Sequence, residues 1–168
     1  MKKCIVWLLA AMLLSGCGAE PVYETIGDVC GNTEPVTAPG TMEIAVPEGA
    51  QMQTSDTDSV DTYYTIGDWE VWTQILESGD IHATLETITG MDSEALTVVC
   101  YEVDGMDCHE TTWTSTGEDG ILVGRVAVLD DGKHHYCLAL TVPQNQAGDL
   151  AENFGQLLDS VTITGTES

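Results

Sequence analysis

Cysteine is the residue type in this sequence with the clearest chemical potential. Four cysteines lie beyond Cys17, and an even number suits two disulfides in an exported protein. They are Cys30, Cys100, Cys108 and Cys137. None has the C-x-x-C spacing of a redox enzyme. Disulfide bridges and free buried thiols are therefore the two alternatives.

The spacing of these cysteines narrows the possible pairings. A three-residue turn centred on Asp104 would place Cys100 directly opposite Cys108, within the ~4.4–6.8 Å between Cα atoms that a disulfide spans. Cys137 follows two predicted strands later, which we expect to be too far from Cys108. That leaves Cys30 as the partner of Cys137. Free cysteines remain the alternative in a host without an oxidising export pathway.

Histidines offer weak metal-binding patterns. Neighbouring residues of a strand point to opposite faces, so Cys108-His109 and His134-His135 do not chelate one ion as dipeptides. His109 with His135 across strands is the remaining arrangement, and structural histidines are the default. We predict no metal site and no cofactor from these residues.

Acidic residues give only a faint calcium signal. Asp56, Asp58 and Asp61 lie in a polar loop, but the segment lacks the turn glycine and terminal bidentate glutamate of an EF-hand. A surface this acidic is still expected to associate weakly with divalent cations.

Catalytic motifs are missing from the sequence. There is no G-x-S-x-G nucleophile elbow and no glycine-rich phosphate loop. We therefore expect no catalytic residues, and an enzyme is the least favoured of the function classes.

The N-terminus carries an export signal. Lys2 and Lys3 precede an apolar run over residues 5–14. This run is too short to cross a bilayer as a helix, and it has the size of a signal-peptide core. It ends in Leu14-Ser15-Gly16-Cys17, which resembles a bacterial lipobox. The resemblance implies cleavage between Gly16 and Cys17 and a thioether-linked diacylglycerol on Cys17, with palmitate as an acyl chain. It also implies a lipid-anchored protein on the extracytoplasmic face of a bacterial membrane.

Composition separates three segments and excludes one class of partner. Residues 1–16 form the predicted signal peptide, residues 17–40 an acidic tether containing Pro and Gly, and residues 41–168 a single domain. Loss of Lys2 and Lys3 leaves 2 basic against 28 acidic residues, which lowers the formal net charge from −24 to −26. A pI of about 4.1 argues against nucleic-acid binding. A basic protein or a cationic ligand is the partner that this charge favours.

Hydrophobic periodicity predicts the elements of the domain. Alternating patterns predict strands over residues 42–46, 61–66, 69–76, 95–103, 108–116, 121–129 and 134–142. Ile81, Leu85 and Ile88 predict a short helix that begins at Asp80 or Ser78 and stops at Gly90. A second apolar stripe predicts a C-terminal helix that begins near residue 147. The expected fold is α+β, with a six- to seven-stranded antiparallel sheet carrying two helices.

This order of elements resembles PsbP-like domains over residues 41–163. The resemblance rests on the opening strand that ends in Val46-Pro47, the long hairpins, and the closing segment Phe154-Gly155-Gln156-Leu157-Leu158-Asp159-Ser160. It implies an α/β/α sandwich. The family includes extrinsic photosystem subunits that help retain inorganic ions, but no functional residue of the family transfers to this sequence.

A non-enzymatic binding or interaction module at the cell surface is the function that these features favour together. An accessory lipoprotein that binds divalent cations is the alternative, and an enzyme of unknown type is the third.

Overall fold

The computed structural model describes residues 38–55, 60–117 and 120–165. The predicted signal peptide, Cys17 and Cys30 lie outside the described residues. The described strands are β1 (Thr41–Glu43), β2 (Gln51–Met52), β3 (Thr62–Ile66), β4 (Trp69–Glu77), β5 (Val99–Val103), β6 (Met106–Gly117), β7 (Gly120–Asp130), β8 (His134–Pro143) and β9 (Thr162–Thr164). The two α-helices are α1 (Ile81–Thr89) and α2 (Leu150–Asp159).

Seven strands form one antiparallel sheet in the order β2-β3-β4-β8-β7-β6-β5. The four consecutive strands β5 to β8 each pair with the next along the chain, and the earlier β4 pairs with β8 rather than with β5. A separate two-stranded sheet joins β1 to β9. The α+β class, the seven-stranded antiparallel sheet and the two helices agree with the sequence prediction.

Helix α1 begins and ends as predicted. The Asp80 side chain caps it by accepting a hydrogen bond from the backbone N–H of His82, at 3.0 Å. Gly90 ends the helix in the left-handed conformation, with φ of 67°. Glycine adopts this conformation without steric cost. Leu85 is fully buried against the sheet.

The sheet has a core on each face. On the α2 face, Phe154 and Leu157 pack with Leu138 and Leu140. On the α1 face, Leu85 packs with Trp113 and with side chains of β7 and β8. Nine consecutive residues of β8 are buried, because this strand lies between the two layers.

Four strands differ from the prediction. The predicted strand over 95–103 begins only at Val99, because a 3₁₀ helix over Ser93–Ala95 comes first. Strand β1 ends at Glu43 rather than continuing to Val46. Strands β2 and β9 were missed, since two or three residues are too few to show an alternating pattern.

The register of the β5–β6 hairpin corrects the predicted cysteine geometry. The turn has two residues, Asp104 and Gly105, whose φ angles are 51° and 83°. Two positive φ angles define the hairpin turn that favours Asp-Gly. Tyr101, not Cys100, is therefore opposite Cys108, and Cys100 is opposite His109. A one-residue shift moves a side chain to the other face of the sheet, so Cys100 and Cys108 point away from each other.

Candidate functional site

A cavity of about 330 Å³ lies where the β5–β6 turn, the β7–β8 turn and strand β9 approach one another. We call it the hairpin cavity. Its lining residues are Val103, Asp104, Met106, Leu129, Asp131, Val161, Thr162 and Ile163. This volume is at the lower end of the range typical of small-ligand pockets. It suits a single side chain or a small molecule.

Apolar groups from three elements form most of the cavity wall. Val103 and Met106 come from the hairpin, Leu129 from β7, and Val161 and Ile163 from the chain around β9. All of these residues belong to the core of the α2 face or pack against it. The wall is therefore part of the folded core.

Asp131 is a fixed negative charge at the cavity. One carboxylate oxygen accepts hydrogen bonds from the backbone N–H of Lys133, at 2.8 Å, and of His134, at 2.6 Å. The other oxygen accepts from the Tyr136 hydroxyl at 3.2 Å. Burial by itself would raise the pKa of Asp131, but these hydrogen bonds and the nearby His134 hold it below its usual value. The carboxylate is therefore charged at neutral pH.

Asp104 supplies a second carboxylate from the turn itself. The residue is exposed and has a positive φ of 51°. Asp and Asn tolerate this conformation better than most residues. The described lining residues thus combine apolar walls with two carboxylates and contain no Lys or Arg. A cation with an aliphatic stem is the ligand chemistry that such a cavity fits.

Two other cavities lack this combination of features. One of about 390 Å³ lies between the chain after β1 and helix α2, and its lining includes Trp69 and Leu157 but no acidic residue. Another of about 650 Å³ lies at the opposite end of the sheet beside Asp68 and Glu70. The Asp68 carboxylate accepts a hydrogen bond from the Gln146 side chain at 3.0 Å. These two carboxylates are held by side-chain partners, whereas two backbone N–H groups fix Asp131.

Ser78, His135 and Asp130 meet in space, although the sequence contains no triad motif. Both His135 Nε2 contacts are long, at 3.4 Å to Ser78 Oγ and 3.5 Å to Asp130, while Ser78 Oγ donates to Asp130 at 3.0 Å. The other ring nitrogen, Nδ1, lies 2.8 Å from Thr84 Oγ1 in α1. A nucleophilic triad needs the acid on Nδ1 and the serine on Nε2. His135 is also fully buried, and its contact with Thr84 links α1 to the sheet.

A second polar network joins the outer strands on the α2 face. Glu110, 9% exposed, accepts hydrogen bonds from the Tyr101 hydroxyl and from Arg125 Nε, both at 2.5 Å. The Arg125 guanidinium also forms an ion pair with Glu110 and lies 5.5 Å from the ring centre of Phe154 in α2. Arg125 is the only arginine in the sequence. Its positive charge is paired with the Glu110 carboxylate.

The structure places the remaining candidate residues apart. Cys100, Cys108 and Cys137 are free thiols, and Cys108 and Cys137 are buried on opposite faces, two strands apart. Cys30, the predicted partner of Cys137, lies outside the described residues. The exposed Cys100 has His109 Nδ1 at 3.4 Å from its sulfur, a proximity that the wrongly predicted register had concealed.

Neither a metal cluster nor a membrane-spanning helix occurs among the described residues. No three Cys, His, Asp or Glu side chains of residues 38–55, 60–117 and 120–165 converge in a way that could hold an ion. The same ranges contain no helix with the length and apolarity needed to cross a bilayer. Of the three aspartates in the faint calcium pattern, Asp56 and Asp58 lie outside these ranges. The Asp61 carboxylate accepts a hydrogen bond from the Ile75 N–H at 2.7 Å.

Solved structures share the architecture. The chain superposes on cyanobacterial PsbP (CyanoP) from Synechocystis sp. PCC 6803 with a TM-score of 0.55 and 11% identity, covering 80% of this chain and 99% of that one. The fold is that of PsbP-like domains. LpqN of Mycobacterium tuberculosis, described as involved in cell envelope biogenesis, matches with a TM-score of 0.54 and 11% identity over 80% of this chain and 88% of its own.

A third structure, from Bacteroides thetaiotaomicron VPI-5482, matches with a TM-score of 0.53 and 11% identity. The match covers 77% of this chain and 48% of the other, so the chain spans about half the length of that protein. No protein-family model and no curated protein matches the sequence. At such low identity, the PsbP-like fold is what these neighbours establish.

Proposed function

We propose that this protein is a lipid-anchored, extracytoplasmic binding module without catalytic activity, and that its hairpin cavity receives a cationic group. The class of ligand is a primary ammonium or guanidinium on an aliphatic stem, such as a lysine or arginine side chain of a basic protein. The observation that carries the proposal is the Asp131 carboxylate, held in place beside an apolar wall.

The geometry of Asp131 supports a binding role because the site is built before any ligand arrives. Three donors already fix the carboxylate, so no side-chain entropy is lost on orienting it for a cation. The apolar wall adds contact with the ligand's methylene groups, which long basic side chains bury readily. The net charge of −24 would increase the rate of encounter with a basic partner.

The proposed export and lipid anchoring of the protein rest on its N-terminal sequence. The Lys2-Lys3 start, the apolar run and the Leu14-Ser15-Gly16-Cys17 motif support export and lipidation at Cys17. Expression in a bacterial host followed by membrane fractionation tests this. We expect Cys17→Ala to move the protein from the membrane to the soluble extracytoplasmic fraction, and continued membrane association would contradict the anchor.

Calorimetric titration of the full chain with tetralysine tests the binding site. We expect Asp131→Asn to weaken binding about tenfold, because the variant removes the charge while Asn Oδ1 still accepts the two backbone hydrogen bonds. The matched control is Glu152→Gln on the exposed surface of α2, which removes the same charge far from the cavity and should change binding less than twofold.

Two results would contradict the proposed binding of a cation in the hairpin cavity. Equal weakening by both variants would mean nonspecific attraction to an acidic surface, and the absence of binding would mean that the site takes no such cation. A calcium titration monitored by thermal unfolding distinguishes the alternative of a divalent-cation accessory protein. A clear rise in Tm at millimolar calcium, with no tetralysine binding, would favour that alternative.

A further inference from the structure

We propose that the partner is an extended basic peptide segment, which adds to the free edge of β5 as an eighth strand of the sheet. This inference rests on the proposed function and specifies the form of the ligand.

Strand β5 presents the open edge of the sheet. Among the described residues it pairs only with β6, whereas the strand at the other end of the sheet, β2, has two residues. Four of the five β5 side chains are exposed, including Val99 at 58% and Tyr101 at 38%. Exposed edges in monomeric proteins are usually protected by lysine, proline or a bulge. β5 contains no Lys or Pro, and its pairing with β6 runs without an inserted residue.

The charge next to this edge is negative. The register places Glu102 of β5 directly opposite Asp107 of β6, and Asp107 directly opposite Asp130 of β7. Three carboxylates therefore lie in one row across the α1 face of the sheet. Like charges in directly opposed positions destabilise a sheet. A cationic side chain on an added strand would lie beside Glu102 and relieve this repulsion.

The negative charge of this row distinguishes between two partners that could pair with the open edge of β5, a second copy of the chain and a basic segment. A second copy of the chain would bring another Glu102 and another charge of −24 to the interface. A basic segment supplies the complementary charge, while its backbone N–H and C=O groups satisfy the edge of β5. Alternating lysine and apolar residues would direct lysines to the acidic α1 face. Apolar side chains would then contact Val99 and Tyr101 on the other face.

The edge is continuous with the hairpin cavity. Val103 is the last residue of β5 and Asp104 follows it, and both line the cavity. A strand laid along β5 therefore runs to the cavity. Its lysines face the acidic row on the α1 face, and a basic residue just beyond the end of the added strand would be near Asp131 on the α2 face.

The experiment uses the peptide (Lys-Val)₄ and a set of its derivatives, each N-methylated at one backbone nitrogen. N-methylation leaves the charge unchanged but removes one hydrogen-bond donor. In an added strand, alternate N–H groups point toward β5. We expect the affinity of the full chain for the peptide to fall at least tenfold when the methyl group is on a nitrogen that points toward β5. At the alternate nitrogens, which point away from β5, the affinity should change less than threefold.

A variant and a cross-link locate the peptide. Glu102→Gln is expected to weaken (Lys-Val)₄ binding about fivefold, whereas the exposed control Glu152→Gln should have little effect. For the cross-link, Cys4, Cys17 and Cys30 of the full chain are changed to serine. Cys100 on β5 is then the accessible thiol, because Cys108 and Cys137 are buried. Peptides with one cysteine should form a disulfide with Cys100, by exchange with oxidised glutathione, at one preferred position.

The outcomes separate this inference from the proposed function. Binding that tolerates N-methylation at every position, with cross-linking to Cys100 at no preferred position, would overturn strand addition and leave the cationic cavity standing. No binding of (Lys-Val)₄ or tetralysine would overturn both.

Discussion

The indole ring of Trp113 lies directly on the backbone of Gly124, its register partner on the neighbouring strand β7. A Cβ atom at position 124 would overlap Cζ2, Cε2 and Cη2 of the ring. Trp113 is 5% exposed and makes an edge-to-face contact with Trp72, with ring centres 6.4 Å apart. The ring therefore has little room to move away. Gly124 is the position that allows two tryptophans to pack beneath α1.

Gly124→Ala is expected to lower the free energy of unfolding by about 1–3 kcal/mol, the usual cost of overpacking a core. The matched control is Gly155→Ala in α2, where an added Cβ would meet nothing within 4 Å. That variant should instead raise stability by about 0.5–1 kcal/mol, because alanine favours a helix interior. Urea unfolding of both variants measures the difference, and equal stabilities would contradict the packing described for Trp113.

Thiol reactivity should divide the three described cysteines into one accessible and two protected. Cys100 is exposed, whereas burial raises the pKa of Cys108 and raises that of Cys137 to about 12. In a full chain with Cys4, Cys17 and Cys30 changed to serine, Ellman's reagent at pH 8 should titrate one thiol in the folded state and three in urea. Cys100→Ser should abolish the native reaction.

The opposite result would be equally informative about the disulfide prediction. If the protein recovered from an oxidising compartment shows no native thiol and only one in urea without reductant, Cys100 and Cys108 are bridged. The hairpin would then have the three-residue turn predicted from the sequence, in place of the register in which Tyr101 faces Cys108.

Local chemistry explains which parts of the fold were predictable. Helix α1 was predicted to within a residue, because Asp80 and Gly90 are a strong cap and a strong stop at the ends of an apolar stripe. The β5–β6 hairpin was located by Asp104-Gly105, but its register depends on whether the turn contains two or three residues. Composition alone does not determine that number.

The candidate site was harder to predict because its parts are distant in sequence. Asp131 lies in the β7–β8 turn, where its carboxylate accepts the N–H groups of Lys133 and His134. Its position at the hairpin cavity also depends on Val161 and Ile163, which approach it only through the packing of the chain after α2. Strand β9 is three residues long, so no pattern in the sequence indicated that approach.

Asp131 should make stability depend on acid pH. Its folded-state pKa lies below 3.8, the ordinary value that it has in the unfolded chain. The carboxylate therefore stabilises the folded chain above that ordinary value, and this contribution disappears as the pH falls through the folded-state pKa. Asp131→Asn should cost about 1–2 kcal/mol at pH 7 through weaker hydrogen bonds. It should also lose less stability than the wild type between pH 5 and pH 2.

Urea unfolding at pH 7, 5, 3 and 2 measures this effect. Asp104→Asn is the matched control, since Asn also tolerates a positive φ and Asp104 is exposed. Parallel curves for wild type and Asp131→Asn would show that the hydrogen bonds to Asp131 do not persist in solution.

Replacing only one partner of the Glu110–Arg125 ion pair is expected to destabilise the folded protein more than replacing both. Arg125→Met keeps an apolar contact with Phe154 but leaves the Glu110 carboxylate, 9% exposed, with the Tyr101 hydroxyl and no cation. A buried charge without its partner is strongly destabilising, whereas replacing both partners is often close to neutral. We expect a loss of about 2–3 kcal/mol for Arg125→Met, since the pair is only partly buried.

A double-mutant cycle measured by urea unfolding tests this coupling. The double variant Glu110→Gln/Arg125→Met should lose about 1 kcal/mol less than Arg125→Met alone, despite carrying one more substitution, because it leaves no unpaired charge. Additive losses would mean that the two side chains are solvated independently.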